Sequence, residues 1–463
     1  MQVVQEIDKN NADYQVITMG STWSAIWQVS WPLFLNMMTI ALVCFSEIYI
    51  AGRLGYESQA AIGFSFQIWN LMMLLATAMA AASTALVSRF WGAGDREQAI
   101  EAARQSLLFA VLFGTCTTVI GLLCSEPILS ALGATQTVKT LALENLRISM
   151  LAQIGWNIIW IGNSIFRAKG NTRVPMYTWL FLMVVLIAMD WVFAIYPFHF
   201  GVAGLAWSGL IGSTMGAALN LYKLRRSDIG ACVSLSGNLN IEKCRFWLAR
   251  LLRIGLPACI QDVAWLVGNF FFLYIFAQTE HAAACQAAYA VGFRIEDIFG
   301  GMPIYALNMG AATIVGQNLG ANQPKRAERA GWHIAGIGFL YDLIVGIALF
   351  VLARPIATLM TPGDSPVIGY ATQYFQVVGI AQPFLAIWIV LFGAMQGAGY
   401  TRWTMWATCL AMLVFRLPLA WVLTVNMHIV PTGIWIAMAS TVVLLGIVSI
   451  HEFRRGRWKL QKV

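Results

Sequence analysis

Residues 32–55 read PLFLNMMTIALVCFSEIYIAGRLG, an apolar run with one carboxylate, Glu47, set six residues before Arg53. At 1.5 Å of rise per residue, 24 residues wound as a helix cover about 36 Å, enough to cross the hydrocarbon of a bilayer. A single Glu in such a segment costs a few kcal/mol to place and is ordinarily kept for a task. Glu47 follows Pro32 by fifteen residues, and Asp190 follows Pro175 by the same interval. Two apolar segments with a proline and one acid at matched spacing suggest a pair of coupling carboxylates in a helical membrane protein.

Composition agrees with that reading. Hydrophobic residues make up 59% of the 463, charged residues only 11%, and the mean hydropathy is +0.69. A soluble chain carries roughly a quarter charged residues, so a polytopic membrane protein is expected. The formal charge of +8 does not mark a nucleic-acid face, because the basic residues sit mostly in short loops between apolar segments. The eight cysteines show no metal-ligand spacing and read as helix packing. No basic start followed by a hydrophobic core marks a cleavable leader in the first 23 residues.

Apolar runs bounded by charge, Gly or Pro predict twelve helices, at about 24–51, 59–88, 99–125, 138–166, 174–197 and 202–224, then 249–276, 283–314, 329–353, 366–396, 403–425 and 432–452. The separation of the fifth from the sixth rests on Pro197 and the following turn. With the N-terminus inside, roughly 22 Lys and Arg fall in inside segments and about 3, Arg53, Lys139 and Arg354, outside. Both termini are therefore expected in the cytoplasm of an inner or plasma membrane. The predicted organisation is a tail at 1–23, a six-helix bundle at 24–224, a polar linker at 225–248, a second bundle at 249–452 and a basic tail at 453–463.

The halves repeat each other. Phe90-Trp91-Gly92-Ala93-Gly94 corresponds to Asn318-Leu319-Gly320-Ala321-Asn322, and Arg167-Ala168-Lys169-Gly170-Asn171-Thr172-Arg173 to Gln396-Gly397-Ala398-Gly399-Tyr400-Thr401-Arg402. Pro32 and Pro257 mark equivalent places. Six helices per repeat return the chain to its starting side, so the repeats are parallel, and transporters so built bind substrate between the halves.

The sequence resembles the multidrug and toxic compound extrusion (MATE) family. The residues that carry the resemblance are Pro32, Glu47 and Gly52-Arg53-Leu54-Gly55, the Gly-Asn-Thr-Arg and Gly-Tyr-Thr-Arg loops, Gly316-Gln317-Asn318-Leu319-Gly320-Ala321, Arg294-Ile295-Glu296 and Phe415-Arg416-Leu417-Pro418-Leu419. The last three are more similar to the DinF-like branch than to the NorM-like one. The resemblance implies an all-α fold of 12 transmembrane helices in two six-helix bundles, and export of organic cations or other amphiphiles in exchange for H⁺ or Na⁺. Two departures stand out. The family's first-helix acid is usually Asp, here Glu47, and a family Asn four residues before the fifth-helix acid is Leu186. A longer carboxylate with one amide ligand fewer suits a proton better than a caged Na⁺. The NorM-like acid of the tenth helix is absent.

Six acids fall inside predicted helices away from their ends: Glu47, Asp190, Asp262, Glu296, Asp297 and Asp342. The two deep bases, Arg294 and Arg416, lie in the second half. Buried charge is expected to pair, so Arg294 is matched with Asp297 at i, i+3 and Arg416 with Glu296, while Glu47 and Asp190 remain as the ion-coupling pair, with Na⁺ there as the alternative to H⁺. Asp262, Arg294, Glu296, Asp297 and Arg416 are secondary candidates for the substrate cavity. Asp342 reads as internal, and Ala76, Ala80 and Thr84 as helix packing. The abundant Trp is assigned mostly to lipid-facing and interfacial positions.

Neither an ATPase nor an enzyme is indicated. The chain lacks a Gly-Lys pair for a phosphate loop, and its five His are scattered, without HExxH or GxSxG. No cofactor, metal or protein partner is expected, and the chain reads as a monomer in contact with membrane lipid and a small lipophilic cation. The nearest competing function is a lipid or lipid-linked oligosaccharide flippase of related architecture. A phosphate-bearing substrate calls for cavity bases, but the deep acids outnumber the deep bases.

Overall fold

A computed structural model describes residues 12–131, 135–234, 241–279, 281–361, 363 and 365–461. Parts of the predicted tails and linker, residues 1–11, 235–240 and 462–463, lie outside the described residues. A short helix, α1 (Ala12–Thr18), stands within the predicted amino-terminal tail. The first six membrane segments follow as α2 (Thr22–Arg53), α3 (Tyr56–Gly92), α4 (Arg96–Ala131), α5 with α6 (Gln136–Leu151, Gln153–Ala168), α7 (Arg173–Asp190) and α8 (Gly201–Arg225). The second six are α9 (Ile241–Ala277), α10 with α11 (Ala282–Glu296, Met302–Gly320), α12 (Pro324–Val351) with its extension α13 (Ala353–Met360), α14 (Ser365–Gly397), α15 with α16 (Thr401–Cys409, Leu417–Trp421) and α17 (Thr432–Arg455).

Twelve segments thus stand where twelve were predicted, and the turn between the fifth and sixth falls where Pro197 placed it. Eleven are helical runs long and apolar enough to span a bilayer among the described residues. The remaining one is broken at Ala152 into α5 and α6, each of 16 residues. Helix ends follow local chemistry: the Ser21 side chain accepts from the Ser24 amide to cap α2, and Pro324 opens α12, where its missing N–H costs nothing. Pro32 and Pro257 lie inside continuous helices. Large apolar side chains face outward along the spans, among them Leu123 (72% exposed) and Ile344 (68%), a surface that only lipid covers at low cost.

Four stretches are wound as π-helix: Trp191–Ile195 after α7, Asp297–Gly301 between α10 and α11, Leu410–Arg416 after α15, and Val422–Asn426 after α16. Such wide turns insert a residue into the α ladder and recur at functional positions.

The chain divides into two compact units, residues 1–256 and 257–463. In the first, α2 packs on α7, α3 on α4 and α6, and α5 and α6 on α8. Ala76, Ala80 and Thr84 are buried there, as small packing residues should be. Its core corrects the expectation for tryptophan. Trp156 stacks on Trp179 at 5.9 Å, and Trp69 and Trp160 meet this pair edge-on at 6.2 and 6.1 Å. These rings fill the space between broken helices, where no aliphatic side chain offers comparable area.

In the second unit α14 is central, packed by α10, α11, α12 and α17. Its Tyr374 and Phe375 join Phe272, Phe276, Tyr289 and Trp435 in an aromatic core. At the α12–α14 crossing, Gly346 and Gly379 bring the backbones together: a Cβ on Gly346 would stand 2.3 Å from the Gly379 carbonyl oxygen.

The internal repeat is visible in the backbone itself. Gly94 and its counterpart Asn322 both take positive φ, 75° and 57°, and Gly170 and Gly399 match at 94° and 81°. Asn is the non-glycine residue best suited to that left-handed conformation, which explains how one repeat keeps the turn without glycine.

Candidate functional site

In the first unit, Asp190 is the last residue of α7, placed where α winding gives way to the π segment, and it is 1% exposed. Glu47, half-buried on α2, lies within electrostatic reach of it. The equal proline-to-acid spacing on two packed helices therefore brings the two carboxylates together. No Lys or Arg nitrogen forms a salt bridge with either among the described residues.

One oxygen of Asp190, Oδ2, has no hydrogen-bond partner among the described residues. Ser208 on α8 faces the same carboxylate, and its hydroxyl donates to the Leu186 carbonyl at 3.2 Å. Ser208 is not among the residues expected from the sequence, because a serine in an apolar helix carries no distinguishing signal. Beyond the acids, Tyr49 and Trp191 approach at 6.4 Å, and the Arg53 guanidinium lies 5.1 and 5.5 Å from their ring centres. Ile50, Ala194 and Leu205 form a small apolar plug beside them. A buried carboxylate without a basic partner is satisfied by a proton or a bound cation.

In the second unit, Glu296, Asp297 and Arg416 line one cleft with Trp265, Tyr305 and Trp388. The cleft is partly open to the exterior and its cavity is about 80 Å³. Neither the i, i+3 pairing of Arg294 with Asp297 nor the interhelical pairing of Arg416 with Glu296 is formed as a salt bridge among the described residues. Glu296 accepts a hydrogen bond from the Tyr374 hydroxyl. Arg416 is buried among rings, 4.7 Å from the centre of Phe272 and 5.3 Å from that of Trp265, with Nη1 3.2 Å from the Met412 sulfur. Arg416 and Glu296 remain within electrostatic reach but form no ion pair among the described residues. Each charge has other company: Glu296 takes the Tyr374 hydroxyl, Arg416 lies against Phe272 and Trp265, and Arg294 is exposed.

Arg294 is exposed and within electrostatic reach of Asp297, yet only Asp297 of the two lines the cleft. Asp262 is half-buried on α9, within electrostatic reach of Tyr305, and is not among the cleft-lining residues. Asp342 is fully buried, as its internal reading anticipates.

Comparison with known proteins places these features in context. The family model MatE matches residues 32–192 and 257–422. A probable multidrug resistance protein NorM from Thermotoga maritima is 24% identical, covering 89% of this chain and 88% of that protein. An FAD transporter from Shewanella oneidensis is also 24% identical, covering 92% and 93%. The fold is similar to that of a multidrug resistance MATE family transporter of the MOP superfamily solved in an outward-facing conformation. For that pair the TM-score is 0.89 at 22% identity, over 98% of this chain and 99% of that one. With both repeats matched by one model and the architecture shared over nearly the whole length, the chain is an integral membrane transporter, not an enzyme, and belongs to the MatE family.

Proposed function

We propose that the protein is a secondary antiporter that exports organic cations or amphiphilic toxins by alternating access, driven by H⁺ entering through Glu47 and Asp190. The observation that carries this reading is the pair of neighbouring carboxylates without a salt bridge, one of them 1% exposed with an unpartnered oxygen at the foot of a π segment. Proton occupancy neutralises the pair, and deprotonation leaves two like charges in an apolar bundle. The two states thus differ in electrostatic energy and favour different packings of α2 against α7. Glu47 in place of Asp and Leu186 in place of the family Asn support H⁺ over Na⁺.

The test is efflux of a cationic dye from proteoliposomes under an imposed pH gradient or an imposed Na⁺ gradient, for wild type, Glu47→Gln and Asp190→Asn. The expected result is efflux driven by the pH gradient and lost in both variants, with unchanged size-exclusion profiles. Efflux driven by Na⁺ alone, or variants that transport normally, would refute it.

A second substrate reading has its own support. Arg416 sits among aromatic rings in the second unit's cleft, and one relative is an FAD transporter. A planar aromatic anion suits such a guanidinium, so flavin nucleotides belong in the substrate panel beside the dyes.

A further inference from the structure

Asp342 on α12 is 0% exposed, and neither of its carboxylate oxygens has a hydrogen-bond partner among the described residues. Such a group is costly in a protein interior unless something positive satisfies it. Its neighbourhood is shaped by glycine. The α12–α14 crossing at Gly346 and Gly379 lies one turn along from Asp342 and from Gln382, which is 1% exposed. On the third side is Gly300, in the π segment after α10. A Cβ there would stand 2.8 Å from Gln382 Oε1 and 3.7 Å from Asp342 Oδ1. A carboxylate oxygen and an amide oxygen therefore converge on a backbone position that carries no side chain.

We infer that Asp342 and Gln382 form a monovalent-cation site inside the second unit, closed on one side by Gly300 and separate from the Glu47–Asp190 pair. The shared chemistry is a single positive charge at Asp342, supplied either as H⁺ on the carboxylate or as Na⁺ between the two side chains. The groups that face it are Glu296 on α10, within electrostatic reach, and Tyr341 beside it on α12. Tyr374 on α14 donates to Glu296, and Arg416 lies within reach of Glu296. The guanidinium thus faces Glu296 first, and the positive charge at Asp342 comes from the bound cation.

The site can be counted without transport. In the purified full-length protein with Glu47→Gln and Asp190→Asn installed, ²²Na⁺ binding is measured at pH 8.5, and proton uptake is followed in weak buffer as the pH is lowered to 5. The same measurements are made after adding Asp342→Asn, and separately after adding Gly300→Ala, which fills the space and leaves every titrating group in place. The expected result is one cation per chain fewer in the Asp342→Asn protein. A missing Na⁺ identifies the sodium source, and a missing proton identifies the carboxyl source. Gly300→Ala is expected to weaken Na⁺ binding or shift the midpoint of proton uptake. Equal Na⁺ and proton counts with and without Asp342, or a Gly300→Ala protein unchanged in both measurements, overturn the inference. Because the background lacks both first-unit acids, failure here leaves the antiport reading untouched, and failure of antiport leaves this count intact.

Discussion

Gly346→Ala puts the packing of the second unit to a quantitative test. The new Cβ would stand 2.3 Å from the Gly379 carbonyl oxygen, 3.3 Å from its carbonyl carbon and 3.2 Å from Gln382 Cβ. Carbon–oxygen contacts of this type settle at about 3.3 Å or more, so α12 and α14 must separate locally by about 1 Å. The obstacle is backbone, which cannot rotate away as a side chain would. Overpacking of this kind costs about 1–3 kcal/mol, offset by at most about 1 kcal/mol for replacing Gly with Ala in a helix. The reciprocal change, Gly379→Ala, meets the Gly346 oxygen at 2.8 Å and should cost less. Gly369→Ala, on the same α14, has nothing within 4 Å of its Cβ and should be neutral or slightly stabilising. Equilibrium unfolding in detergent, followed by far-UV circular dichroism, should rank the three in that order of loss. A Gly346→Ala protein more stable than wild type, or no less stable than Gly369→Ala, would refute the close-crossing account.

Two further outcomes concern the carboxy-terminal tail and the turn before the linker. Trp458 is fully buried, stacked at 4.6 Å on Phe453 with its indole N–H donating to the Phe453 carbonyl at 3.0 Å. Trp458→Ala should lower stability by about 3–5 kcal/mol, read as a lower unfolding midpoint, and an unmoved midpoint would show that the tail only rests on the bundle. Cys232, in the short 3₁₀ turn Gly230–Val233, is buried and its thiol is pushed up to about 12, chiefly by desolvation. The reactive thiolate appears only as pH rises toward that value, so maleimide at pH 8 should spare Cys232 in the folded protein and modify it after SDS unfolding. Labelling of the folded protein at the rate of a free thiol would contradict its burial.

Segment number, the repeat and the meeting of Glu47 with Asp190 were legible in the chain because each rests on a one-dimensional signal: apolar length, recurring turn motifs, or equal spacing from a proline. The turns at Gly94 and Asn322 show the same economy, since the residue type itself reports a left-handed backbone. What was not legible depends on winding or on contacts across the bundle. Nothing in Arg294-Ile295-Glu296-Asp297 announces that Arg294 is exposed while Asp297 lines the cleft, so i, i+3 spacing alone does not make the pair. The break at Ala152 has no proline or glycine at the junction to betray it. Trp156, Trp160 and Trp179 carry no mark of facing inward, because an aromatic stripe toward lipid and one toward the core have the same composition. Asp342 and Gln382 are separated by a whole helix connection, and only the glycine crossing makes them neighbours.

The π segment after Asp190 also sets a mechanical property of α7. A π turn holds one residue more than α winding requires, and each residue of an α-helix advances the azimuth by about 100°. Rewinding Trp191–Ile195 as α would therefore swing everything beyond it through that angle while Asp190, at the boundary, kept its place. Trp191, next to the boundary, would turn little, while Tyr196 and the turn that follows it would take a different azimuth. Such a change would leave the acid in place and move the turn that follows it.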